Sequence, residues 1–372
     1  MKKLHIIFLD FDDIKNPLLG AGQARATVEV GKRLAARGHM ITVICSRYPG
    51  YKDRKENGIQ YKHIAIGTNN IRLNNLLYIL LLPFTVMRLK GDVIVECFTA
   101  PISTLFSPLF TKIPVVALST SFEADRFSKL YHFPFNKIER IGISKYKYFI
   151  ALSTFFEKKM KKANPQVISK VIPEGVDTEF FKIKRKKAKH ILFLGRLDVG
   201  QKGIDLLLKA YSRIARKATY PLIIAGNGPD EKKVSELIHR YDLQDKVKMV
   251  GPAYGKKKSK LLSESLYVAF PSRNETFSCF ALEALASGLP IVAFDIPGIA
   301  WSGNEVAIKA KAFSIKHYSE LLLNSMNASK MSHLGKKARK FASYFTWEMV
   351  ADEFENFFKT MLELERSRYE KN

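Results

Sequence analysis

Four short segments of this 372-residue chain set glycine turns beside charged side chains at spacings that suit an anionic, hydroxyl-rich ligand. In GRLDVGQKGID, Arg196 and Lys202 flank a turn built on Gly195, Gly200 and Gly203, and a helix is expected to start near Ile204. Two cations on such a loop meet the need of a diphosphate. In GNGPD, residues Gly226, Asn227, Gly228 and Pro229 make a tight turn whose backbone amides can face a ligand. In AFPSRNETFSCFALEALASGLPIVAFD, Glu275 stands in a loop, and Glu283 lies on the second turn of a helix from about Cys279. A helix N-terminus favours phosphate, and carboxylates accept hydrogen bonds from sugar hydroxyls. In NPLLGAGQARA, Gly20 and Gly22 lead into a helix, where an anion can approach the backbone. Arg25 holds the place of the third glycine there, so this is no dinucleotide fingerprint. Each segment taken singly also reads as an ordinary strand-to-helix turn, as solvated charge, or as a glutamate paired with a helix dipole.

The elements that must position these residues are short apolar, β-branched runs alternating with amphipathic stretches. Strands are expected at 4–9, 40–45, 92–97, 114–118 and 148–152, then at 191–194, 221–225, 247–250, 266–270 and 290–294. ARATVEVGKRLAARG places Ala26, Val30 and Leu34 on one face and ends at Gly38, as a crossover helix does. Continuous apolar strands joined by helices mean α/β architecture with parallel sheets covered on both faces. Ten such strands exceed one doubly wound sheet. IPEGVDTEFFKIKRKKAKH, with six Lys/Arg in 182–189, reads as a linker over 173–189 between two Rossmann-like domains. In open parallel sheets ligands collect at the strands' carboxyl ends, where the four segments fall. The late segment FTWEMVADEFENFFKTML carries Trp347, Val350, Phe354, Phe357, Phe358 and Met361 at helical spacing, so its helix buries one face.

Taken in order, IPEGVDTEFF, GRLDVGQKGID, IIAGNGP and PSRNETFSCFALEALASGLPIVAFD strongly resemble the nucleotide-sugar glycosyltransferases of family 4, across residues 171–294. The GAG turn, RGHMITVICS and the late aromatic helix extend the resemblance to nearly the whole chain. It implies the GT-B fold: two Rossmann-like domains facing a central cleft, with the C-terminal helix crossing back to the N-terminal domain. The implied domains are 1–172, binding acceptor and joined by 345–372, and 173–344, binding the nucleotide-sugar. It further implies a retaining, hexosyl-type transfer from a nucleotide-diphospho-sugar to an acceptor hydroxyl. The departing phosphate oxygen takes the proton, and no cofactor or metal is needed. Arg196 and Lys202 match the pair that binds the diphosphate, Glu275 the carboxylate facing the donor sugar, and Glu283 the one holding the ribose. Phe277, Ser278 and Cys279 match the stretch whose amides meet sugar and phosphate. Gly226 and Gly228 belong to the donor-binding turn, and Gly20 and Gly22 to the N-domain glycines closing over the phosphates. Two departures stand out. Ser278 replaces a glycine, and the histidine expected after the fourth strand is missing, with Ser119, Thr120 or Ser121 near its place and His132 too far along.

The net charge of +26, from 61 Lys+Arg against 35 Asp+Glu, speaks of partners and little of fold. Residues 1–170 hold 27 Lys+Arg and 12 Asp+Glu, a net +15, so the N-terminal half is the more densely charged. It also contains NNLLYILLLPFTVMRLK, flanked by Arg72, Arg88 and Lys90. Broken by Pro83, this run is short of the ~20 residues a spanning helix needs. It reads either as a buried helix before the third strand or as a segment lying in an anionic membrane surface. Three scattered cysteines, Cys45, Cys97 and Cys279, suggest neither a disulfide framework nor a zinc site. The expected setting is a reducing cytoplasm, peripheral at the inner membrane face, with a glycan or glycolipid acceptor from cell-envelope synthesis. The alternatives are a same-fold glycosyl phosphorylase or sugar epimerase, or a basic nucleic-acid binder. No nucleic-acid module is visible and aromatics do not cluster with the basic runs, so nucleic acid is not an expected partner.

Overall fold

The structure, a computed structural model, describes residues 3–19, 22–98, 106–119, 122 and 124–370. The chain divides into two compact units, Met1–Glu174 with Trp347–Asn372, and Gly175–Thr346. The first unit carries strands β1 (His5–Leu9), β2 (Met40–Ser46), β3 (Arg54–Glu56), β4 (Ile59–Ile64), β5 (Val93–Cys97), β6 (Val115–Leu118), β7 (Tyr148–Ala151) and β8 (Ile168–Val171). They form one sheet in the order β3-β4-β2-β1-β5-β6-β7-β8. Every pairing is parallel except that of β3 with β4. The second unit carries β9 (His190–Leu194), β10 (Leu222–Ala225), β11 (Val247–Met249), β12 (Ser265–Phe270), β13 (Ile291–Phe294) and β14 (Ala307–Ala310). Its sheet runs β11-β10-β9-β12-β13-β14 and is wholly parallel.

Most strands read as apolar runs are buried on both faces, as parallel strands under helices must be, whereas the edge strand β11 (VKM) buries only Val247. Four strands escaped that reading: β3, β4, β8 and β14. Three of them are sheet edges, and β4 (IQYKHI) alternates buried and less buried positions, so none forms an unbroken greasy run.

The helix Trp347–Tyr369 belongs to the first unit and packs on the crossover helix Gly22–Ala36. Its six stripe residues from Trp347 to Met361 are all buried. Arg37, just past the crossover helix, gathers Glu348 at 2.5 Å, Asp352 at 2.7 Å and Glu355 at 2.9 Å from the late helix. The greasy run forms the helix Ile71–Val86, capped by Asn70, whose side chain accepts from the amides of Arg72 and Leu73. It buries Asn74, Tyr78, Leu82 and Val86, while Leu73, Leu76, Leu80, Phe84 and Met87 make an exposed stripe, each at least 39% accessible. A helix apolar all round is expected to be covered on every side; this one is covered on one. Among the described residues no helix is long and apolar enough to cross a membrane.

Candidate active site

The loops that follow β9, β10, β12 and β13 meet at the carboxyl edge of the second sheet, because sheet order makes those strands neighbours. Glycines permit the contact. A Cβ on Gly226, at φ +142°, would lie 1.9 Å from the Gly195 carbonyl oxygen. One on Gly203, at φ +64°, would meet the Pro271 carbonyl at 2.1 Å, and one on Gly298 the Glu275 carbonyl at 2.1 Å. Gly228 is equally close to Leu197, whose carbonyl oxygen would stand 2.5 Å away. The helix expected near Ile204 begins there and runs Ile204–Ser212, and a short helical turn, Val199–Lys202, precedes it, the two meeting at left-handed Gly203. Asp198 caps the first piece by accepting from the Gln201 amide, and Asp230 accepts from the Val199 amide at 2.7 Å.

Within this knot the Lys202 ammonium donates to Glu275 Oε1 at 2.7 Å, and the Ser272 hydroxyl donates to the same oxygen at 2.7 Å. Glu275 is buried and Lys202 largely so. Glu283 is buried on the helix Cys279–Ala286, its Oε2 taking the Lys258 ammonium at 2.5 Å. Arg196 stands apart as the exposed cation of the set: its side chain is 58% accessible and leans on Gln201 at 2.6 Å and Asp198 at 3.3 Å. Two contributors were missed in the sequence. Lys258 was one lysine among Lys256, Lys257 and Lys260, with nothing local to single it out. Arg273 clamps Asp205 with both terminal nitrogens, at 2.6 and 2.7 Å, and donates to the Val199 carbonyl, thereby holding the Lys202 loop. The Asp205 carboxylate holds the Arg273 guanidinium above its usual value.

Ser278 is the N-cap of the Glu283 helix, its hydroxyl accepting from the Ala281 amide at 3.2 Å; with φ −100° nothing there demands glycine. Phe277 is buried with its ring stacked on Trp301 at 4.6 Å, so it props the loop, and Cys279 opens the helix, partly exposed. In the first unit Gly22 opens the crossover helix, and a Cβ there would meet nothing within 4 Å. Gly20, Thr120 and Ser121 lie outside the described residues. Ser119 is wholly buried and spends its hydroxyl on the Leu152 amide at 3.0 Å, tying β6 to β7, and His132 is exposed at φ +50°.

A second polar cluster sits past β1. Asp13 is clamped by Arg54 at 2.6 and 2.8 Å and by His63 at 2.8 Å, and the other His63 nitrogen meets Asp53 at 2.9 Å. Asp13, Cys45 and His63 are close enough together to hold a cation, but Arg54 already fills that role on both carboxylate oxygens. Burial pushes Asp13 up, yet its bonds from Arg54 and His63 outweigh this and hold it well below the usual carboxylate value. Burial raises Asp10 to about 6, and burial with the neighbouring Asp10 raises Asp12 to about 7. For acids raised this way, the folded state holds the proton more tightly. Their stabilising contribution is complete below pH 3.8 and is lost as the pH climbs through about 6 and 7. Asp13 has the opposite sign, its contribution being lost in acid. Asp12→Asn is expected to flatten the fall in Tm between about pH 4 and 7; parallel melting curves for variant and wild type would contradict the assignment.

Two family models match the chain in succession: Glycosyltransferase Family 4 over residues 20–180, and Glycosyl transferases group 1 over residues 176–341. The chain belongs to glycosyltransferase family 4. This family 4 chain is 29% identical over 191 residues to the MMP alpha-(1->4)-mannosyltransferase of Mycolicibacterium hassiacum, covering 49% of this chain and 46% of that protein. The chain spans less than half the length of the curated relatives it matches. Its fold is that of GT-B glycosyltransferases. The sucrose-phosphate synthase of Thermosynechococcus elongatus superposes with a TM-score of 0.80 over 97% of this chain and 100% of that one, at 16% identity. Anabaena Alr3699/HepE, solved in complex with UDP-glucose, superposes with a TM-score of 0.72 over 96% and 100%, also at 16% identity.

Proposed function

We propose that this family 4 protein transfers a hexosyl group, with retention, from a nucleotide-diphospho-sugar to an acceptor hydroxyl in cell-envelope glycolipid or polysaccharide synthesis. The observation that carries the reading is the Lys202–Glu275 contact at a loop knot on the carboxyl edge of the second sheet. A cation and a carboxylate touching at one point suit the junction of a sugar and its diphosphate. Lys202 and Arg196 offset the charge that grows on the leaving phosphate, so no metal is assigned to that task. Glu275 keeps Lys202 in place through Oε1, and Oε2 is the oxygen assigned to the sugar. Glu283, positioned by Lys258, is assigned to the ribose hydroxyls. The acceptor hydroxyl attacks the face the nucleotide leaves and gives its proton to the departing phosphate oxygen. Structures of a fold relative with UDP and with UDP-glucose support a nucleotide-sugar donor.

A thermal-shift panel of nucleotide diphosphates and nucleotide-sugars tests this. One base is expected to stabilise the protein by about 2.7 kcal/mol at a hundred times its Kd. Glu283→Ala should abolish that shift. A panel in which no nucleotide moves the Tm, or in which Glu283→Ala responds as wild type does, overturns the reading.

The acceptor unit is assigned to the cytoplasmic face of an anionic membrane through the exposed stripe Leu73, Leu76, Leu80, Phe84 and Met87. Arg72, Arg88 and Lys90 flank it, and no acidic residue lies in 71–90. Arg72 also stands 5.9 Å over the Tyr131 ring, which adjoins exposed Leu130 and Phe133. Flotation with anionic vesicles is expected at low salt and should be lost in Leu80→Glu/Phe84→Glu. Equal recovery of both proteins, or equal recovery on neutral lipid, removes the membrane from the account.

A further inference from the structure

The second unit carries a cavity of about 500 Å³ at the opposite edge of its sheet from the donor loops. Its walls come from the amino ends of the strands: Lys186–Ala188 precede β9, Tyr220 precedes β10, Leu266 is the second residue of β12 and Gly288 precedes β13. Arg196, Gly226 and Glu275 follow the carboxyl ends of those same strands. A five-residue strand such as β9 therefore separates the two places by about 16 Å.

Five cations line the cavity, Arg185, Lys186, Lys187, Lys336 and Arg339, and among the described residues no carboxylate lines it. The two arginines are spent on backbone. Arg185 donates to the carbonyls of Leu262 and Ser265, and Arg339 to those of Phe181, Ile183 and Ser287. These bonds stitch the segment before β9 to the junction of the helix Gly255–Glu264 with β12 and to the helix Ala328–Ala342. They explain where the arginines sit, but carbonyl dipoles do not cancel two full charges, and a guanidinium carries more N–H donors than these bonds use. Burial, and after it the nearby Arg339, pull Arg185 down to about 10. Close packing brings them together: a Cβ on Gly335 would stand 2.3 Å from the Gly288 carbonyl, and one on Gly288 would be 3.3 Å from Arg339 Nε. The first turn of the helix Ala328–Ala342 adds its own positive end, with Ala328, Met331 and Ser332 on the wall.

We propose that this cavity binds a small polyphosphorylated anion, at a site distinct from the donor loops. The volume falls within the roughly 300–1,000 Å³ of small-molecule sites and is too small for a nucleic-acid duplex or a protein surface. Charge-assisted bonds from guanidinium and ammonium groups to phosphate oxygens are the strongest contacts such a wall can offer. The bound anion would join Arg185–Lys187 to Lys336–Arg339 and so fasten the segment before β9 to the helix Ala328–Ala342.

The test is calorimetric titration of the full chain with inorganic tripolyphosphate, carried out on the Lys202→Ala background so that the donor loops contribute least. Saturable binding is expected there, and Lys187→Glu/Lys336→Glu added to that background should weaken it at least tenfold while leaving the Tm of the free protein unchanged. Both lysines are exposed, so the pair should fold. Equal affinity with and without the charge reversals, or no saturable binding at millimolar tripolyphosphate, overturns the proposal. Neither readout depends on a nucleotide or on sugar transfer, so failure of the donor assignment would leave this test standing.

Discussion

Replacing Lys202 by alanine is expected to lower turnover by about a hundred- to a thousandfold at saturating donor, the usual cost of losing one charge-stabilising group at a leaving oxygen. Two effects act together. The cation assigned to the departing phosphate is gone, and Glu275, only 8% accessible, loses its 2.7 Å partner and keeps the Ser272 hydroxyl. A carboxylate stranded in that state turns toward water, which displaces it from the sugar. Glu275→Gln should lose turnover on a similar scale for the mirror reason: it keeps the shape but not the charge that holds Lys202. Lys202→Arg restores the charge and should recover part of the rate, whereas a purely structural lysine would be rescued in Tm and not in turnover. The check is kcat and Tm for all three variants. Folded Lys202→Ala and Glu275→Gln proteins with near-native turnover would refute the site.

Gly226→Ala carries the largest expected effect on stability. Its φ of +142° lies where an L side chain is strained, and the new Cβ would lie 1.9 Å from the Gly195 carbonyl oxygen. The obstacle is backbone, tied in turn by the Gly195 amide to the Ala225 carbonyl and the Gly226 amide to the Gly251 carbonyl. Neither loop can yield without breaking the knot that holds Lys202 and Glu275. A loss of about 3 kcal/mol or more is expected. At roughly 2–4 °C per kcal/mol for a unit of this size, Tm falls by about 6–12 °C. Gly22→Ala is the control, because its Cβ meets nothing within 4 Å and the fold should not register it. Thermal melts decide the matter. A Gly226→Ala protein melting within about 1 °C of wild type would show that the loop packing described here is wrong.

Much of this protein was legible along the chain. Ten strands were visible as apolar runs, the crossover helix as a 3.6-residue pattern, and the late helix as an aromatic stripe, because those signals are written in near neighbours. The order of four glycine- and charge-bearing segments was enough to point to the family. Ser278 departs from the family pattern, but its serine turns out to do a cap's local work.

Other features were settled only by the folded chain. The Ile71–Val86 helix is as greasy outside as inside, so its sequence announces burial, and only the packing of Tyr78 and Val86 shows which half is left facing out. Lys258 could not be told from its neighbouring lysines until the fold set it against Glu283. Lys202 and Glu275 are 73 residues apart, and no local pattern says they touch. Their meeting follows from β12 lying beside β9 in the sheet, which sets the loops after those strands side by side, and from glycines that let backbones close to contact distance. Local chemistry in the sequence named the groups and the strands that carry them. Which group faces which was decided by strand order, because adjacency in a sheet is a long-range choice made by burial of the whole apolar surface at once.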